Sequence, residues 1–247
     1  MEPGADADTA APNSGAPGVS GEHEHRDVSG GWLRAAVFGA TDGLVTNSSL
    51  IAGVGGGGGA HHTIVLTGMA GLVAGAFSMA TGEYISVTTQ NEAIHAEVAN
   101  EKTALAQDPV GEIAELADAY IARGVSPATA RAFATELAAS PKDALHVHVQ
   151  EELGVDAQKL PGAWTAAISS FLSFSLGALL PLLPYLLGLS SLPVALAVSA
   201  IALMAAGALA AVLTGRSPVR SGLRQLLLGA LAVGATYLIG HLLGAHV

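Results

Sequence analysis

A small set of side chains in this sequence is of the types that gather divalent cations, and their spacing is helical. The segment 77–101, FSMATGEYISVTTQNEAIHAEVANE, starts apolar and ends acidic without a proline. Stepping at 3.6 residues per turn from Met79 reaches Glu83, Ser86, Gln90, Ala93 or Ile94, Glu97 and Glu101. A thioether and three carboxylates therefore lie near one line on one helix face. Such a line suits a metal cation collected in water and handed into a bilayer.

Further acids repeat the pattern downstream. Glu97 and Glu101 stand at i,i+4, Glu112 and Glu115 at i,i+3, and His148 and Glu152 at i,i+4 with Glu151 beside them. Each pair can meet on one helical face. Carboxylates with an imidazole suit divalent iron, manganese or zinc more than calcium. The bland reading of any single pair is a solvated helix surface, where Glu is common. Three pairs on adjoining short helices, beside a carboxylate within a membrane segment, favour metal. The chain has no Cys, which excludes disulfides and thiolate ligands.

Two acids fall within apolar segments. Asp42, in FGATDGLVTNSS, is about ten residues into the first, with Thr46 and Ser49 on its side. A carboxylate at mid-bilayer costs about 3 kcal/mol on insertion scales, so it must face protein or water. Glu83 lies in the inner part of the second segment, one turn past Met79. The plainer alternatives are a structural hydrogen bond to Asn47 or a backbone group for the carboxylates, and packing for Met79.

The elements that must position these groups are legible from composition. Of 247 residues, 51% are hydrophobic and only 12% charged, about half the charge of a soluble domain, with mean hydropathy +0.50. Long uncharged runs mark membrane spans at about 32–54, 63–88, 164–187, 192–214 and 223–243, each long enough for a core of about 30 Å. The glycine run 55–59 makes the first hairpin, and lacks the GK[ST] of a phosphate loop. Pro181 and Pro184 are expected to kink or end the third span. The spacings Gly39/Gly43, Gly71/Gly75 and Gly240/Gly244 allow close helix approach. Residues 1–30, with EHEH at 22–25, are expected to be a disordered acidic tail. A net charge of −10 excludes a nucleic-acid partner.

With the connection between spans two and three inside, all ten Lys and Arg fall inside: Arg26, Arg34, Lys102, Arg123, Arg131, Lys142, Lys159, Arg216, Arg220 and Arg224. Five spans then put the N-terminus in the cytosol and the C-terminus outside. The expected fold is an all-α membrane protein of five transmembrane helices. A three-helix cytosolic insert, 89–161, separates spans 1–2 (32–88) from spans 3–5 (162–247). The second span should run on into the cytosol to about Ala106. Asp108-Pro109, Ser126-Pro127 and Ser140-Pro141 should start the insert helices, with Gly124, Ser140 and Gly154 near their ends. Ile113, Leu116 and Tyr120, Phe133 and Leu137, and Leu145, Val149 and Leu153 supply their inward faces. Twelve of the twenty acidic residues lie in this insert.

The segments AVFGATDGLVTNSSLIAGV, AGAFSMATGEYISVTTQNE, DPVGEIAEL, HVHVQEELG and FLSFSLGALLPLLPYLLG resemble the vacuolar iron transporter family, over about residues 32–244. The resemblance implies a homodimeric five-span transporter. It would move Fe²⁺, and often Mn²⁺, out of the cytosol in exchange for protons, along a path lined by the first two spans at the dimer interface. Asp42 and Met79 match the family's intramembrane metal positions and Glu83 its GEY motif. Glu101, Glu112, Glu115 and Glu152 match its cytosolic glutamate pattern, with Glu97 a looser match. Two departures stand out. Ala104 occupies a place where a second Glu is common after Glu101, and His148 lies near where some members use Met.

The expected function is thus proton-coupled export of divalent iron or manganese for homeostasis and detoxification, with no enzymatic activity and no resident cofactor. The expected partners are divalent metal ions, the lipid bilayer and a second copy of the chain. The expected location is a bacterial plasma membrane. The alternative is a membrane-anchored metal sensor or store without transport, for which Glu92-x-x-His95 offers half of a di-iron motif. A scaffolding membrane protein with an acidic domain is the third reading, and predicts no metal affinity.

Overall fold

A computed structural model describes residues 31–244; the expected N-terminal tail, with its EHEH, lies outside them. The described chain is all-helical. Eight helices follow one another: α1 (Gly31–Gly56), α2 (His61–Gln107), α3 (Pro109–Ala122), α4 (Pro127–Leu137), α5 (Pro141–Leu153), α6 (Ala163–Leu186), α7 (Leu192–Leu213) and α8 (Pro218–Gly244).

Four of these, α2, α6, α7 and α8, are long and apolar enough to cross a membrane. The protein is an integral, multi-pass membrane protein. The helix α1, expected as the first span, stands outside that group because Arg34, Asp42, Thr46, Asn47, Ser48 and Ser49 dilute its apolar character. Its surroundings explain how it carries them. It packs against α2, α6, α7 and α8 together, so its polar side chains meet other helices. Asn47 is fully buried and donates to the Ala178 carbonyl at 2.5 Å. Buried Ser48 donates to Ser199 at 2.8 Å. A buried polar group costs little once hydrogen-bonded, and these bonds join α1 to α6 and α7.

Close approach of α1 depends on small residues. A Cβ on Gly39 or Gly43 would collide with the α6 backbone between Ser170 and Ala178, and one on Gly240 with Gly53. At Gly71 and Gly75 it would meet the side chains of Leu50 and Phe174. All three expected small-residue spacings thus mark tight helix crossings. The helix α6 continues through Pro181 and stops two residues after Pro184.

The helix α2 is one unbroken rod of 47 residues, about 70 Å at 1.5 Å per residue. It ends at Gln107, one residue past the expected point. The next three helices follow their punctuation. The Asp108 side chain accepts from the Gly111 N–H at 2.9 Å with Pro109 at the first helical position, and the Ser126 hydroxyl accepts from the Thr129 N–H at 3.3 Å ahead of Pro127. Gly124 and Gly154 take the positive φ that stops α3 and α5. The helix α4 ends at Leu137, three residues short of Ser140, in a turn.

These short helices close a small core of Leu116, Ala117, Ala130 and Ala134, flanked by Ile113, Tyr120 and Leu137. Phe133 and Leu153, expected inside, are exposed. Phe133 instead lays its edge on Tyr120 at 5.2 Å. The insert rests on the bundle through α2, and Asn91 donates to the Pro161 carbonyl where the chain returns.

Antiparallel connections fix which ends lie together. The starts of α1 and α6 meet through Ser169 and the Trp32 carbonyl. The helix α6 runs away from the insert and α7 runs back, so the α7–α8 turn lies at the insert end of the bundle. The far ends of α1 and α8 meet at Gly53 and Gly240.

Candidate metal centre

Where α2 passes the insert, three helices bring four ligand side chains together. Glu101 comes from α2, Glu112 from α3, and His148 and Glu152 from one face of α5. One ligand atom from each lies within 4.8 Å of every other. His148 Nδ1 is 3.2 Å from Glu101 Oε1, 3.6 Å from Glu112 Oε2 and 3.8 Å from Glu152 Oε1. The His148 side chain is 4% exposed, so the imidazole lies between the carboxylates and the apolar insert. Glu101 Oε1 is buried and receives no hydrogen bond.

The local structure dictates this meeting. Asp108 and Pro109 start α3 one residue after α2 ends, so Glu112 folds back toward Glu101. The i,i+4 spacing places His148 over Glu152, and buried Ala144 and Val149 seat α5 against its neighbours.

The electrostatics fit a cation site. Burial, then the neighbouring Glu152 and Glu112 carboxylates, push the Glu101 carboxyl up to about 7. Glu112 is raised by burial and by Glu115, with His148 opposing. Carboxylates gathered in a partly dry site repel one another, and Glu101 and Glu112 resist ionisation. A divalent cation removes that repulsion. Three carboxylate oxygens and one imidazole nitrogen make a four-ligand set for Fe²⁺, Mn²⁺ or Zn²⁺.

The other expected site residues fall into different places. Glu115 is exposed and acts on the cluster through its charge. Glu97 is exposed, accepts from Asn100 at 3.2 Å, and shares a small pocket with Glu101 and Glu152. Glu151 faces away from the cluster. It accepts from the Tyr120 hydroxyl at 3.0 Å and pairs with Arg123, tying α5 to α3. Both the i,i+3 and i,i+4 positions can reach the His148 face, and Tyr120 with Arg123 draws Glu151 off it while Glu152 stays.

In the bundle, Asp42 accepts from Thr46 at 3.1 Å and is half-buried. Asn47, the alternative hydrogen-bond partner, bonds α6 instead, and its Oδ1 is buried without a donor, as is Ser49 Oγ. Met79 packs beside Ala76, Phe174 and Ala178. Glu83, expected deep in the second span, pairs with Arg34 from the first turns of α1. Its neighbour Tyr84 packs at a tilt against Trp164 at the start of α6. Glu83 thus sits level with the insert-side ends of α1 and α6, carrying its own counter-ion. Asp42, Met79 and Glu83 thus each have separate partners. Among the described residues, the cluster in the insert is the one group of three or more acidic or imidazole ligands within reach of a single ion.

Sequence reasoning offered Asn47 only as a partner for a carboxylate, and missed its bond to α6 and the bond of Ser48 to α7. Their signal is four polar residues in succession, Thr46 to Ser49, inside a largely apolar helix.

The profile of the VIT family matches residues 33–241. A vacuolar iron transporter of Acanthamoeba castellanii is 36% identical over 236 residues, covering 92% of this chain and 84% of the relative. Vacuolar iron transporter homolog 1 of Oryza sativa subsp. japonica is 34% identical, covering 87% and 75%. A vacuolar iron transporter of Centaurea cyanus is 30% identical, covering 87% and 89%.

Proposed function

Because the chain belongs to the VIT family, we propose that it carries divalent iron, and manganese by the same ligands, out of the cytosol across a membrane. The observation that carries this reading is the four-ligand cluster built on α2. The helix that offers Glu101 to the metal is the helix that enters the bilayer. Metal gathered by Glu101, Glu112, His148 and Glu152 would pass along the α2 face toward Met79 and Asp42, with Glu97 and Glu115 adding negative charge at the entrance. Glu83 would join the path when Arg34 is displaced. Protons and metal would compete for the same carboxylates, which couples their movements in opposite directions.

In this reading α1 is a fifth span, shielded by its neighbours rather than by its own hydropathy. The insert faces the cytosol, in keeping with the positions of Lys and Arg. The exposed apolar face of α2, with Leu66, Val73 and Phe77, offers a surface for a second copy of the chain or for lipid. The expected bacterial plasma membrane gains no support from the relatives, which are eukaryotic proteins named for the vacuole.

The test is metal uptake with simultaneous pH recording in proteoliposomes of the purified protein. Iron-dependent proton flux is expected, with Asp42→Ala abolishing it while the insert still binds metal. Flux undiminished in Asp42→Ala would remove Asp42 from the path. Metal binding without any flux in the wild type would favour a sensor or store.

A further inference from the structure

We propose that the α7–α8 turn carries a binding site for the headgroup of an anionic phospholipid in the leaflet on the insert side. Arg216, Arg220 and Arg224 follow one another at i,i+4 and line a single pocket of about 560 Å³ with Thr214, Ser217 and Ser221. They are three of the seven arginines in the chain. Among the described residues none of the three has an acidic partner, whereas Arg34 and Arg123 both do. The Ser217 and Ser221 side chains likewise make no hydrogen bond there, so the pocket holds uncommitted donors. Gly215, at a φ of 67°, turns the chain so that Arg216 joins the face formed by α8.

The chemistry of this lining is that of a phosphate site. Guanidinium groups bind phosphate oxygens through paired N–H donors, and hydroxyls complete the shell. A general preference for positive charge on one side of a membrane explains the sign of these residues. It does not explain three arginines sharing one pocket without a carboxylate, in a chain of net charge −10.

Position selects lipid over a soluble phosphate. The pocket opens where α7 ends and α8 begins, at the boundary of two membrane helices. Exposed Leu209, Val212, Leu223 and Leu227 continue from it along the bundle and offer a track for acyl chains. Basic pockets between membrane helices at such a boundary hold acidic lipid headgroups.

The experiment is native mass spectrometry of the full-length protein in neutral detergent, titrated with phosphatidylglycerol, phosphatidylcholine or inorganic phosphate. Phosphatidylglycerol is expected to be retained at least tenfold more strongly than phosphatidylcholine, and to resist displacement by an equal concentration of inorganic phosphate. The triple variant R216Q/R220Q/R224Q should lose that preference. The variant K102Q/R131Q/K142Q, which removes the same charge from the insert, should keep it. Equal retention of the two lipids overturns the proposal, as does an equal loss in the insert variant. Full displacement by inorganic phosphate would make this a soluble-phosphate site and overturn the lipid assignment. Should the triple variant not fold, Arg220→Gln alone is expected to weaken retention at least threefold, and unchanged retention would overturn the proposal.

Discussion

At the residue scale, two adjacent glutamates show how one helical step divides roles. Glu152 shares a face with His148, while Glu151 reaches Tyr120 and Arg123. Glu152→Gln is expected to weaken metal binding roughly tenfold or more, in the range typical of altered metal sites. Glu151→Gln should leave affinity nearly unchanged and lower the thermal midpoint. Calorimetric titration and thermal unfolding of the full-length protein separate the two. Glu101 supplies a pH signature. Its folded carboxyl lies near 7, above the ordinary value of 4.5. Its contribution to the stability of the metal-free protein is therefore present below about 4.5 and is lost as pH rises to about 7. Metal must displace that proton, so affinity should fall by up to about tenfold per pH unit below 7. Glu101→Gln should flatten the stability trend; an unchanged slope would place the shift elsewhere.

At the element scale, α2 is the part that, in the proposed function, joins metal collection to the bilayer. Ala96 is exposed, in the interior of α2, between the membrane segment and Glu101. Proline there removes a helical hydrogen bond and costs about 3 kcal/mol locally. Ala96→Pro is expected to hold metal affinity within a few-fold while uptake into proteoliposomes collapses. Uptake at the wild-type rate would show that continuity of α2 is dispensable. The α1–α6 crossing gives a packing test. A Cβ at Gly43 meets the Phe174 carbonyl, whereas one at Gly234 meets open space. Gly43→Val should destabilise by about 1–3 kcal/mol or more, and Gly234→Val should not lower the thermal midpoint.

At the scale of the whole molecule, polar side chains meet an apolar solvent. Helix α1 resolves this by carrying its polar side chains where four other helices surround it. The insert gathers charge outside the bilayer, and the α7–α8 arginines face the same end. The chain has no Cys, so single cysteines report orientation cleanly. In intact cells an impermeant maleimide should label His62→Cys in the far hairpin. Thr129→Cys and Ser217→Cys should react only after permeabilisation. The reverse pattern would invert the proposed orientation.

Much of the molecule was legible in the chain because its signals are local. Apolar length marked the membrane helices, Asp108-Pro109 and Ser126-Pro127 marked helix starts, and the absence of proline carried α2 from membrane to insert. The i,i+4 spacing paired His148 with Glu152. These features depend on backbone hydrogen bonding within a few residues, which sequence specifies directly. Tertiary structure decided the rest. It brought Glu101, Glu112 and His148 within reach of one ion, turned Glu151 away, and gave Glu83 to Arg34. It also made α1 the shielded helix and left Asn47 bonded to α6. These outcomes turn on side chains from distant segments competing for the same partners. That competition is settled only when the helices have packed.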